Sequence, residues 1–259
     1  MLALIIVVLV LFLLFNPSVL PRIGTQLGDR SRKPFRQAKW MWSSFTGTED
    51  ESIRAEREYG RECARAFETQ FSAKVSRADQ ELVERIGAKL ANAVNDPRRA
   101  FSVKVAGSSV ANAYALPGGF IFITGTLLDL CGRDPNEIAF FLGHEIGHVL
   151  RGHAKDQMTA NTFLNAVSSR LPAAGQMLRH VLSQGYSRMQ EQEADQEAVR
   201  LTAAAGFDPR ASVSALSRLA QRSPDPSGLA EYLSSHPPLS ERIRESEEHL
   251  SRLSEKRRA

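Results

Sequence analysis

The chain has 259 residues, of which 42% are hydrophobic and 24% charged, and its 33 basic residues exceed its 29 acidic ones by a net charge of +4. That length suits one catalytic-sized domain with an appendage, and the composition is that of a globular protein rather than a disordered or fibrous one. The small charge excess, with no zinc-knuckle, RNP or basic-stripe pattern, excludes a nucleic-acid binder.

Met1 to Phe15 is an unbroken apolar run, MLALIIVVLVLFLLF, interrupted by Asn16-Pro17-Ser18 and resumed at Val19-Leu20. As a helix, residues 1–20 would span roughly 30 Å, the thickness of a hydrocarbon core. A secretory signal would need a basic start and a small-x-small cleavage site, and neither is written here. Residues 1–20 are therefore expected to form a single-pass membrane anchor. Arg22, Arg30, Arg32, Lys33, Arg36 and Lys39 follow it, against Asp29 alone. Basic flanks favour the cytoplasmic side, so the rest of the chain is expected in the cytoplasm. Residues 21–48 read as a basic amphipathic segment and linker, in which Trp40 and Trp42 suit a membrane interface or packing on the domain equally.

Pro17, Leu20-Pro21, Ile23-Gly24, Leu27-Gly28 and Phe35 give residues 1–40 a similarity to TatA/TatB-type translocase subunits, without that family's Gly-x-x-Glu start. This resemblance implies an anchor, a hinge and an amphipathic helix. It also implies an alternative function, that of an adaptor in membrane protein translocation.

Residues 49–259 form the expected catalytic domain. Glu49 to Lys74 is charged and helix-prone, and Leu82, Val83, Ile86, Leu90 and Val94 recur at helical spacing until Asn95-Asp96-Pro97 ends the pattern. Cys63 and Cys131 lie in no CxxC pair and read as buried free thiols rather than a disulfide. Phe101, Val103 and Val105 alternate with polar residues as a half-buried strand does. Ala111 to Leu116 and Phe120 to Thr124 flank Pro117-Gly118-Gly119 as strand, turn and strand. Pro135 opens a helix that runs to Arg151, since a proline in the first turn loses no hydrogen bond. A second long helix covers Ser187 to Ala205 and stops at Gly206; Pro209 opens the next, and Leu239 to Leu253 forms a charged terminal helix. The expected fold class is α+β, mostly helical with one small sheet.

Within the Pro135 helix stands His144-Glu145-Ile146-Gly147-His148. Residues four apart share a helix face, so both imidazoles can hold one Zn²⁺, while Glu145 reaches the attacking water rather than the metal. Phe140, Phe141, Leu142, Ile146, Val149 and Leu150 surround the motif and predict a buried helix, in which histidines need partners. A catalytic zinc requires a third protein ligand and one open position. Arg151 and Ala154 stand where a metzincin would place its glycine and third histidine, which removes that subclass. His153 reads as a solvated histidine at the helix end. Glu191 and Asp195, four apart on the second helix, suit better: Glu191 as the third ligand, Asp195 as acceptor for the free N–H of a ligating histidine, with Glu193 pointing elsewhere.

HEIGH, then Ser187-Arg188-x-x-Glu191-x-Glu193-Ala194-Asp195, then Ser235-His236-Pro237-Pro238-Leu239-Ser240-Glu241-Arg242, preceded by Asn112 to Thr124, resembles the HtpX/BepA/Oma-type zinc endopeptidases, relatives of the CAAX prenyl endopeptidases. The resemblance spans residues 50–250. It implies a minimal gluzincin-like zincin fold with one Zn²⁺ per chain, and hydrolysis of peptide bonds in unfolded or damaged membrane-associated proteins. It also brings His236 and Arg242 near the metal, as helpers for the oxyanion or clamps on the substrate, or His236 as a reversible fourth ligand. Substrate is expected to lie extended beside Phe120–Thr124, adding a strand to an exposed edge. The competing expectation is a zinc-bound chaperone that does not cleave.

Overall fold

The computed structural model describes residues 48–153, 185–222 and 239–256, with positions 156, 232 and 236. The expected anchor and basic segment lie outside the described residues, and among those described no helix is long and apolar enough to cross a membrane. The chain divides into two compact units, residues 1–59 and 60–259. The described part of the first is the start of helix α1 (Glu49–Gln70). Its cap is reciprocal: Thr48 N–H donates to Glu51 Oε2 at 2.9 Å, and Glu51 N–H to Thr48 Oγ1 at 3.3 Å.

The second unit contains the rest of α1, then α2 (Arg77–Val94), β1 (Ser102–Ala106), β2 (Ala113–Leu116), β3 (Phe120–Thr124), α3 (Gly125–Leu130), α4 (Pro135–Leu150), α5 (Arg188–Ala204), α6 (Ala211–Arg222) and α7 (Leu239–Lys256). The boundaries follow local chemistry. Ser76 caps α2, and Asn95 ends it in the left-handed region, φ 56°. Asp134 caps α4 through the Asn136 N–H at 2.8 Å, with Pro135 in the first turn. Ser187 and Gln190 form a capping box at the start of α5. The six-residue α3 went unread in the sequence; Thr124, the last residue of β3, caps it by accepting from Leu127 N–H at 3.2 Å. Both cysteines are buried and free.

The sheet order is β1-β3-β2, with β1 parallel and β2 antiparallel to β3. This overturns the expectation of an open edge at Phe120–Thr124. That strand, FIFIT, has a partner on both sides, and an unbroken apolar run is what a strand enclosed on both faces carries. The edge beside α4 is β2, whose four residues are all buried. Ile121 and Ile123 face the main core with α2 and α4, while Phe122 stacks on Phe67 of α1 at 4.2 Å between ring centroids.

The main core gathers Val83, Ile86 and Leu90 of α2, Phe140, Phe141, Leu142 and Ile146 of α4, and Ala198 and Leu201 of α5. Each large side chain withdrawn from water contributes about 1.5–3 kcal/mol before entropy is charged against it. Helix α4 is buried all round, and its closest partner is α5. The two approach where side chains are smallest. A Cβ on Gly143 would stand 3.2 Å from Ala198 Cα, and one on Gly147 3.0 Å from the Ala194 carbonyl oxygen. Glycine on one helix and alanine on the other thus set the spacing between the HEIGH face and the acidic face of α5.

Candidate metal centre

Helix α4 supplies His144, Glu145 and His148, and α5 supplies Glu191 and Asp195 from its first two turns. His236 lies just before α7, and Arg242 lies in that helix's first turn. All seven are buried, none more than 6% exposed. On α5 the inward stripe Glu191, Ala194, Asp195, Ala198 begins polar and ends apolar. The helix therefore packs by its C-terminal half and presents carboxylates at its N-terminal end.

One ligand atom from each of His144, His148, Glu191 and His236 falls within 4.8 Å of all the others. His144 Nε2 and His148 Nε2 are 3.0 Å apart. Glu191 Oε1 lies 3.4 Å from His148 Nε2 and 2.9 Å from His236 Nδ1; His144 Nε2 lies 3.7 Å from Glu191 Oε2 and 3.4 Å from His236 Nδ1. Four ligands at about 2.0–2.1 Å around a tetrahedral zinc would stand roughly 3.3–3.4 Å apart. The observed spacings scatter about that value.

Proton placement also fits a cation. His144 Nδ1 is 2.8 Å from Asp195 Oδ1. Burial alone would raise the Asp195 carboxyl, but Arg242 and His144 hold it below the ordinary carboxylate range. An ionised carboxylate can only accept, so the His144 proton sits on Nδ1 and leaves Nε2 a bare lone pair. Burial pushes His148 well toward its neutral form. Burial would likewise raise Glu191, yet His236 and Arg242 hold it well below its usual value. Glu191 Oε2 is buried without a hydrogen bond; Arg242 Nη1 lies 3.0 Å away but outside hydrogen-bond geometry. Lone pairs and an orphaned anionic oxygen therefore converge on one point, which is the chemistry of a divalent-cation site.

Glu145 is not in the donor group. Its Oε1 lies 3.8 Å from His236 Nε2, and burial raises its carboxyl, with His236 and His144 opposing. A carboxylate of raised basicity beside the ligand set is suited to take a proton at neutral pH. Arg242 grips Asp195 with two N–H donors, Nε to Oδ2 and Nη2 to Oδ1, both at 2.8 Å, and donates to the Tyr232 hydroxyl at 3.1 Å. It also contacts Glu191, and its Nη2 lies 3.3 Å from His144 Nδ1, whose proton is turned to Asp195, so its hydrogen bonds go to Asp195 and Tyr232 and it orders the carboxylates.

Three contacts could not be read from the sequence: His148–His153, His153–Glu193 and His148–Tyr186. His153 is 4% exposed rather than solvated. The left-handed Gly152, φ 76°, turns the chain back at the end of α4 and brings His153 Nδ1 to 3.0 Å from His148 Nδ1. Glu193 does point away from the donor group, as expected, and ends 3.1 Å from His153 Nε2. Tyr186 stacks on His148 at 3.7 Å between centroids and 18° between planes. It immediately precedes Ser187, the cap of α5, and no local pattern in the sequence announces this stack.

The sequence profile of peptidase family M48 matches residues 77–250. The chain is 32% identical over 143 residues to mitochondrial metalloendopeptidase OMA1 of Arabidopsis thaliana, covering 53% of this chain and 29% of that protein. It is 29% identical over 154 residues to the protein of the same name in Schizosaccharomyces pombe, covering 56% and 45% respectively. With metalloprotease YcaL of Escherichia coli it shares 31% over 185 residues, 67% of this chain and 70% of that one. The chain thus spans less than half the length of either mitochondrial relative.

Proposed function

The chain belongs to peptidase family M48, and from that premise we propose that it is a zinc-dependent endopeptidase acting on unfolded or damaged, membrane-associated proteins in quality control. The observation that carries this reading is the four-donor group with a buried carboxylate beside it. His144, His148 and Glu191 would hold one Zn²⁺ between the facing helices of a minimal gluzincin-like domain. Zinc bound there supplies a Lewis acid, acidifying water and polarising a peptide carbonyl.

The chain's own groups do the rest. Glu145 accepts the proton of the attacking water and passes it to the departing amine. Asp195, clamped by Arg242, holds His144 with its proton on Nδ1 and its lone pair toward the ion. Arg242 neutralises two buried carboxylates and so acts as a positioning residue. His236 stands at the fourth corner of the group, where Nδ1 donates to Glu191 Oε1 at 2.9 Å and would be free to ligate once that proton has left, and Glu145 is only 2% exposed. In that arrangement Glu145 is covered. His236 would act as a reversible fourth ligand whose withdrawal uncovers the base, or as a helper for the oxyanion.

Residues 1–20 serve as a single membrane anchor, and the basic residues after it keep the domain on the cytoplasmic side. The mitochondrial and bacterial metalloprotease names of the relatives support protein substrates. The deciding experiment compares casein cleavage by wild type and Glu145→Gln at full zinc loading. Retained zinc with lost cleavage supports the peptidase; equal cleavage by both removes Glu145 from the chemistry.

A further inference from the structure

The two ligand histidines are supported in different ways. His144 Nδ1 meets the carboxylate of Asp195 directly, at 2.8 Å. His148 Nδ1 meets another imidazole, His153 Nδ1, at 3.0 Å, and His153 Nε2 meets Glu193 Oε2 at 3.1 Å. His153 is 4% exposed, whereas the Glu193 side chain is 41% exposed. The line from ligand to surface is therefore His148, His153, Glu193.

Proton placement along this line runs in one direction. An ionised carboxylate only accepts, so His153 Nε2 carries the proton given to Glu193. In a neutral imidazole the other nitrogen is then an acceptor. His153 Nδ1 takes the hydrogen bond of His148 Nδ1–H. His148 Nε2 is left as a bare lone pair, the nitrogen that stands 3.0 Å from His144 Nε2. His153 cannot be a ligand itself, because it sits against the side of His148 opposite the donor group. Tyr186 stacks on the His148 face and fixes the ring plane; the hydrogen bond fixes its rotation and tautomer.

We infer that His153 and Glu193 are positioning residues that hold His148 in the metal-binding tautomer through an imidazole–imidazole–carboxylate chain ending at the protein surface. The inference rests on the metal reading above. Removing the acceptor at position 153 frees His148 to turn or to carry its proton on Nε2, the nitrogen the ion needs. Removing Glu193 releases the tautomer of His153. Its Nδ1 can then be protonated and face His148 Nδ1 as donor against donor.

The test measures zinc affinity of the full chain by competition with a chromophoric chelator, for wild type, His153→Phe, His153→Gln, Glu193→Ala and Glu193→Gln. Each variant's unfolding midpoint in chelator is measured beside it. His153→Phe keeps a ring without an acceptor and is expected to weaken zinc about 10- to 100-fold. His153→Gln offers a side-chain carbonyl and is expected to recover most of that loss. Glu193→Ala weakens binding by less than His153→Phe, Glu193→Gln by less still, and the metal-free midpoint of either Glu193 variant stays at the wild-type value. Phenylalanine binding zinc as tightly as histidine would overturn the inference, as would glutamine binding as poorly as phenylalanine. Should neither residue 153 variant fold, the half-buried Glu193→Ala decides: wild-type affinity there overturns it. A wild type that binds no zinc at all overturns the metal reading instead, and this inference with it.

Discussion

Replacing Arg242 with methionine strips the counter-charge from two buried carboxylates at once. The guanidinium is 2% exposed, makes two charge-assisted hydrogen bonds to Asp195 and one to Tyr232, and lies 3.0 Å from Glu191 Oε2. Breaking a buried ionic arrangement from one side costs about 3–5 kcal/mol, because the remaining charge stays desolvated. For a domain of this size that corresponds to a fall in Tm of roughly 6–20 °C. Urea unfolding followed by circular dichroism, in chelator and in saturating zinc, measures it. Zinc restores a positive partner to Glu191 but not to Asp195, so the loss should shrink on loading without vanishing. Arg242→Lys keeps the charge without the fork and should fall between the two. Adding Asp195→Asn to Arg242→Met removes the stranded charge, so the double variant should be more stable than the two single losses summed. A loss under about 1 kcal/mol, or strict additivity in the double variant, would refute the reasoning that Arg242 acts as a buried counter-ion.

Glu145→Gln should bind zinc as wild type does and lose about 10²- to 10⁴-fold in casein cleavage, read by fluorescence release. His236→Ala should loosen zinc in a chelator competition and raise basal cleavage if the fourth ligand closes the site; a fall in cleavage assigns His236 to the oxyanion, and no change in either removes both roles. Gly147→Val should destabilise by about 1–3 kcal/mol in urea, since its new atoms meet the α5 backbone, and should weaken zinc by pushing Glu191 away from the imidazoles. Chelation should abolish cleavage and lower the unfolding midpoint, by an amount that grows with the zinc concentration of the reference sample.

Much of the fold was legible because its signals are local. Helices α2, α4, α5 and α7 carry their apolar periods and start signals within their own residues, and the Pro117–Gly119 turn marks the β2–β3 hairpin. His144 and His148 meet because positions i and i+4 share a helix face, a property of the helix alone, whereas Glu191 joins them through the close glycine–alanine approach of α4 and α5. What was not legible is relational. That β1 covers the far side of β3, and so closes the edge expected to take substrate, depends on where a separate strand packs. The burial of His153 depends on a left-handed turn at Gly152 and on a glutamate 40 positions later. The stack of Tyr186 on His148 joins two segments through tertiary packing. The family resemblance brings Arg242 near the metal, but its hold on Asp195 depends on how α7 packs against α5.

Metal content per chain, measured on purified wild type, Glu191→Ala and Glu193→Ala in excess zinc and after desalting, tests the central claim. One carboxylate on α5 completes the set begun by two imidazoles on α4, so wild type should retain close to one equivalent, Glu193→Ala, which only loosens the site, most of it, and Glu191→Ala almost none. A metal-free wild type, or Glu191→Ala as fully loaded as its parent, would contradict it.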